Sequence, residues 1–234
     1  MELSHHLHSL KAASEVQFAE YTRCAERFQS EWAALEQGAV QAGQLGAILR
    51  GHWDVVRRHT EELDACRVGC ILGTAALVEG IGNLALTLRL APPEFEAVEQ
   101  LKFVEKWTVM MPLVVRGFAI QRDGQTFQAL RELHSDRNAL THAKPKTSDG
   151  HQGKAPKYSV GQIKVVREKL RAWVGLPRLL IDGFRGVDDD LWNTLLLSCG
   201  YMEDDMPELP EMGDDMLAKL EDWGRGGSAA PVQG

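Results

Sequence analysis

The chain has 234 residues, 44% of them hydrophobic and 25% charged. That suits one globular domain with extensions, and no repeat or low-complexity signature argues for a fibrous or solenoid architecture. The net charge of −7 is uneven: residues 182–234 hold 13 acids against Arg185, Lys219 and Arg225, so −10 lies there and +3 on the remainder. A mildly basic body with an acidic tail leaves a polyanionic ligand open despite the acidic total.

The first segment, residues 6–36, has Leu7, Leu10, Ala13, Val16, Tyr21, Ala25 and Phe28 at rough helical spacing, with Trp32 and Leu35 beyond. His5, His6 and His8 make a local cluster without carboxylate or cysteine support, which does not describe a metal site. Gly38, Gly43 and Gly46 are expected to break the pattern. A long helix is expected over residues 51–90. It is polar at first and apolar from Val68 onward, which makes its second half the centre of the bundle. Gly69, Gly73, Gly80 and Gly82 weaken it and permit close packing or a kink. Glu79 and Asn83 stand four apart on this otherwise apolar surface and so share a face.

Pro92 and Pro93 end that region, and a helix restarts near Glu94 with Phe95, Val98, Leu101, Val104 and Met111 as its apolar stripe and Trp107 in the core. Residues 116–124 read as a loop and Thr126 as an N-cap. The following helix carries Leu130, Leu133 and Leu140 inward. Pro145 disfavours helical geometry at Lys144, so the helix should stop near Ala143. Residues 146–158 form a polar loop with Lys144, Lys146, Lys154 and Lys157 in or beside it, suited to a polyanion. A further helix spans 160–184, with Ile163, Val166, Leu170 and Trp173 inward. Lys164, Arg167, Lys169 and Arg171 are expected on its outer surface, and a kink at Gly175 and Pro177. Asp188, Asp189 and Asp190 cap a short helix over 191–199. The acidic remainder reads as linker, one short helix and disorder.

Cys24, Cys66, Cys70 and Cys199 form no zinc or redox motif and read as buried apolar groups. No signal-peptide pattern and no uninterrupted apolar run of about 18 residues is seen, so the expectation is a cytoplasmic protein without a membrane segment. The fold class that emerges is all-α: an antiparallel helical bundle of four to five main helices with an acidic C-terminal extension. Residues 1–49 pack on the bundle, 50–185 are its body and 186–234 the extension.

The chemistry concentrates in Arg137-Asn138-Ala139-Leu140-Thr141-His142. Asn138 and His142 are four apart, as are Arg137 and Thr141, whereas Arg137 and His142 lie about 140° apart around an ideal helix. His142 sits in the last turn, where exposed carbonyls favour a cation. An imidazole can move a proton near neutral pH, and a guanidinium matches the extra charge of a phosphate in a transition state. Together they can cleave RNA through its own 2′-hydroxyl. The same residues would serve equally well as a cap and an ion pair.

This hexapeptide, at the end of a helix, resembles the Arg-polar-…-His signature of the HEPN superfamily. The segment 70–83, with Ala75-Ala76-Leu77-Val78-Glu79 and Asn83, is similar to the upstream helix of bacterial HEPN-like proteins. Val104-Glu105-Lys106-Trp107 with Met111-Pro112 resembles their middle helix. The likeness spans about residues 50–185. It implies a metal-independent endoribonuclease with no cofactor, often a toxin or antiviral defence effector, acting as a homodimer and in some cases restrained by an antitoxin or regulatory partner. The resemblance and the spacing together make Arg137, Asn138 and His142 catalytic, Glu79, Asn83 and Thr141 supporting, and the four lysines RNA-binding. The alternative is a non-catalytic HEPN-like binding or dimerisation module. A weaker third reading is a ligand sensor in which the basic loop holds a nucleotide.

Overall fold

The computed structural model describes residues 2–42, 45–142 and 160–202. Among these the protein is all-α, with no strand. Two long helices dominate, α1 (Glu2–Ala42) and α2 (Leu45–Thr87). Both are longer than their periodicity suggested, because α1 continues through Gly38 and α2 already includes Gly46. Each long apolar stripe is stabilised by the other, which outweighs the roughly 1 kcal/mol lost at a helical glycine.

The glycines of α2 set how near α1 comes. A Cβ on Gly80 would stand 2.6 Å from Leu7 Cδ2, and one on Gly73 2.8 Å from Ser14 Oγ. Farther along, Arg27 pairs with Glu62 at 3.2 Å and Arg58 with Glu31 at 3.2 Å. Between these rows Leu7, Tyr21, Phe28, Leu63, Cys70, Ile71, Leu77 and Val78 are buried. Val16, expected inward, is exposed.

The segment after α2 departs from the single stripe read from sequence. Helix α3 (Pro92–Val98) has no buried residue, and the chain turns before α4 (Phe103–Glu105). The Ala91 N–H donates to Glu94 Oε2 at 2.9 Å, and the Lys102 N–H to Glu105 Oε2 at 3.0 Å, so each short helix has its own start. A π-helical turn, Lys106–Met110, leads into α5 (Met111–Val114). Trp107 is buried as expected, its Nε1 donating to the Val78 carbonyl at 3.1 Å. Gly82 leaves room for it, since a Cβ there would lie 3.2 Å from that same nitrogen.

Helix α6 (Gln125–Thr141) starts from Gly124, not Thr126: the chain is already helical at Gln125, and no side chain caps it. Helix α7 (Val160–Asp182) runs on through Pro177. Its Lys169 does not face solvent as expected. It lies over the Trp173 ring and pairs with Asp136 at 3.3 Å and Glu132 at 3.5 Å, tying α7 to α6. Helix α8 (Asp189–Cys199) buries Leu191, Trp192, Leu195, Leu196 and Cys199 in the same core. Asp188 caps it by accepting from the Leu191 N–H at 3.1 Å, and Gly200 ends it with φ 66°. The acidic residues from 203 onward lie outside the described residues.

Among the described residues, Arg57–Thr87 of α2 is long and apolar enough, by length and composition only, to cross a membrane, and half of the decisive window is inside the protein core, as in a helix at the centre of a bundle.

Candidate functional site

Helix α6 is held by α7, α2 and the short α4. Leu130 and Leu133 are fully buried and fix the rotation of α6, and Leu140 packs partly against the same core. The strip bearing His134, Arg137 and Asn138 therefore lies half-buried along the edge of α2. The helix stops at His142, whose N–H still donates to the Asn138 carbonyl at 2.9 Å while its own backbone leaves helical geometry. Thr141 Oγ1 turns back to the Arg137 carbonyl at 3.1 Å, so it steadies this last turn.

Arg137 lies between two partners. One guanidinium nitrogen is 3.9 Å from Glu79 Oε2, and another donates to Asn138 Oδ1 at 3.3 Å. Both side chains of the ion pair are partly exposed, 37% for Arg137 and 36% for Glu79. Solvent screening makes such a pair a positioning contact of at most about 1 kcal/mol. Glu79, on a helix face otherwise apolar, is half-open, and its other oxygen lies 3.9 Å from Lys106 Nζ.

Lys106 is the residue that sequence reasoning missed on this side. It is 0% exposed and donates to Asn83 Oδ1 at 2.7 Å. Burial lowers its pKa below the ordinary 10.5, and Glu79 and Glu99 pull the other way. Position 106 falls on the same face as the buried Phe103, Trp107 and Met111, at intervals of three, one and four, so the spacing was a visible signal and the charge of the lysine hid it. The π-helical turn begins at this residue, and such turns recur at functional sites. Asn83 and Glu79 thus orient a buried ammonium, which in turn fixes the acid that holds Arg137.

Asn138 does not point at His142. Its Oδ1 receives the Arg137 hydrogen bond, and its Nδ2 faces His134 Nε2 at 3.0 Å. The amide orientation that satisfies Arg137 makes Nδ2 the donor, so the imidazole accepts and carries its proton on Nδ1. Burial holds His134 below its ordinary pKa of 6.5, and the charges of Lys102 and Arg137 push the same way. The ring stands edge-on to Phe103 at 5.0 Å. His134 is the second residue the sequence reading passed over. Its spacing of four before Asn138 was a visible signal, equal to that of His142 four after.

His142 itself is exposed, and its ring makes no hydrogen bond among the described residues. None joins it to Arg137 there. The structure thus brings together Glu79, Asn83, Lys106, Arg137, Asn138 and His134 as one chain of contacts, of which the exposed His142 is no part among the described residues. Lys144, Lys146, Lys154 and Lys157 lie outside the described residues. No group of three or more His, Cys, Asp or Glu is placed to hold a metal among the described residues.

Compared with family models, with curated proteins and with solved structures, the chain matches none of them. Thiol chemistry is poorly served: all four cysteines are buried and free, and burial pushes Cys66 up to about 11 and Cys70 and Cys199 up to about 12. What the α6 end offers is one exposed imidazole, one oriented guanidinium and one amide. That set can move a proton and steady an anion.

Proposed function

We propose that this protein is a metal-independent endoribonuclease of the HEPN type, built as an antiparallel bundle of four to five main helices. The successive pairings Leu7–Gly80, Ser14–Gly73, Arg27–Glu62 and Glu31–Arg58, which descend α2 as they ascend α1, support that arrangement. The observation that carries the activity is the exposed His142 ring, without a hydrogen bond among the described residues, at the end of the helix that also carries Arg137, itself held by Glu79 and Asn138.

In this reading His142 removes the 2′-hydroxyl proton, and the 2′-oxygen attacks the adjacent phosphorus. Arg137 stabilises the doubly charged phosphorane, with Asn138 keeping the guanidinium in place. The 5′-oxygen leaves with a proton, giving a 2′,3′-cyclic phosphate and a 5′-hydroxyl. One imidazole supplies one proton-transfer group, so a homodimer that pairs two α6 ends fits the need for a second. Lys144, Lys146, Lys154 and Lys157 would hold the strand, and Thr141 the turn. A toxin or antiviral defence role, a cytoplasmic setting and an antitoxin-like partner belong to the same reading.

The test is incubation of purified protein with RNA in excess chelator. Wild type should leave cyclic phosphate ends, and His142→Ala and Arg137→Ala should each lower the rate by about 10²–10⁴-fold. Equal rates in all three, or a rate abolished by chelator, would refute the proposal.

One observation favours a second reading, a non-catalytic binding or dimerisation module. Arg137, Asn138 and His134 already satisfy one another as a strut between α2 and α6. In that case Arg137→Ala lowers stability and RNA is left untouched by every variant.

A further inference from the structure

Beside the Arg137–Asn138 strut, a cleft of about 560 Å³ opens between α6 and the segment that runs from Lys102 into the π-helical turn. Its size is that of a small-ligand site. Its described walls bring Lys102, Arg122 and Arg131 to one opening, with Phe127, His134 and Asn138 on the α6 side. Helix spacing explains the wall: Phe127, Arg131, His134 and Asn138 recur at intervals of three and four, so they form a single strip.

Three features make this a site for a phosphate carrying a flat ring. The first is charge. Elsewhere many cations have acidic partners, such as Arg27, Arg58, Arg89 and Lys169. Lys102, Arg122 and Arg131 are exposed, and none has an acidic partner within ion-pair distance among the described residues. Glu105 is the one acid on the described wall, and its Oε2 accepts from the Lys102 backbone N–H. The second is a flat surface. The Arg131 guanidinium lies 5.7 Å from the Phe127 ring centre, a pairing on which a base can stack. The third is an unmet polar atom. His134 Nδ1 is buried and has no hydrogen-bond partner among the described residues, while its Nε2 is engaged with Asn138.

We propose that this cleft binds one nucleotide of the RNA strand, with Lys102, Arg122 and Arg131 on its phosphate and Phe127 beneath its base. The ligand class rests on the ribonuclease reading; the cleft does not. Asn138 is shared by the cleft and by the Arg137 strut, so a nucleotide seated here would place the neighbouring phosphate toward the end of α6.

The experiment is fluorescence anisotropy with a labelled 2′-O-methyl RNA octamer, which has no 2′-hydroxyl to react. Arg131→Ala and Arg122→Ala should each weaken binding several-fold. Each should also flatten the dependence of log Kd on log salt by about 0.7, the value for one phosphate contact on a single strand. Phe127→Ala should weaken binding at least about fivefold with the salt slope unchanged. Arg131→Glu guards against a small effect hidden in the single truncation. Arg23→Ala, which removes an exposed cation of α1 outside the cleft, should bind as wild type does. Equal affinity and equal slope in Arg131→Glu, Arg122→Ala and wild type would overturn the assignment. Adenosine 5′-monophosphate is the second arm. Competition only at far higher concentration than the octamer supports an RNA strand. Competition as strong as that of the octamer overturns the strand and points to a free nucleotide. Binding by this cleft in a wild type that cleaves nothing would refute the nuclease and leave the cleft standing.

Discussion

Lys106 illustrates how one side chain can organise a site without touching what binds there. An ammonium wholly inside the protein needs compensation, and Asn83 Oδ1 at 2.7 Å with Glu79 at 3.9 Å supplies it. The apolar isostere Lys106→Met is expected to fold with stability within about 1–2 kcal/mol of wild type, since a buried charge is often replaceable by a hydrophobe of its size. It should nevertheless release Glu79 and lower RNA cleavage, mainly in kcat. The pH dependence provides a separate check. The folded-state pKa lies below the unfolded 10.5. Between the two values the unfolded chain holds the extra proton, so stability contributed by this group rises with pH there. Urea midpoints between pH 8 and 10.5 should show that rise in wild type and a weaker one in Lys106→Met. An identical slope in both would show that Lys106 is not the source.

Among the elements, α8 is the one whose attachment depends on a few identifiable contacts. Asp188 both caps its N-terminus and takes a two-pronged hydrogen bond from Arg89 at 2.6 and 2.8 Å, joining the end of α2 to the start of α8. Arg89 holds the Asp188 carboxyl below its ordinary 3.8, with the Leu191 N–H adding to it. At the other end Gly200 adopts φ 66°, and a Cβ there would meet the His8 ring of α1. Asp188→Ala is expected to cost about 1–2 kcal/mol from the lost cap and pair, read as a fall in the urea midpoint. Asp188→Asn should recover part of it, because the amide oxygen still caps. If neither variant shifts the midpoint, the cap contributes nothing.

For the molecule as a whole, these groups set the response to acid. His134 has a folded pKa below 6.5, so as pH falls past 6.5 the unfolded chain gains a proton that the folded one resists, and stability drops. Asp188 behaves as a depressed carboxyl: its contribution is present above 3.8 and is lost as pH falls below that value through its folded pKa. Acid unfolding should therefore show an early loss beginning near pH 6.5 and a later one below 3.8. His134→Gln should remove the early loss and Asp188→Asn the later one, as followed by circular dichroism across a pH series. An unchanged early loss in His134→Gln would assign it to another group.

Much of this protein was legible in the chain itself. Helical spacing located the buried Leu130, Leu133, Ile163, Leu170 and Trp173, and three consecutive aspartates marked the start of α8, because period and capping are local properties. The same locality found Glu79, Asn83, Arg137 and Asn138 as neighbours in pairs, yet could not tell which pairs would meet. Tertiary structure decided that Lys106 is buried against Asn83 of α2 and that Lys169 of α7 pairs with Asp136 of α6. Both outcomes follow from a neighbouring helix supplying the partner, which comes within reach only once the helices are packed.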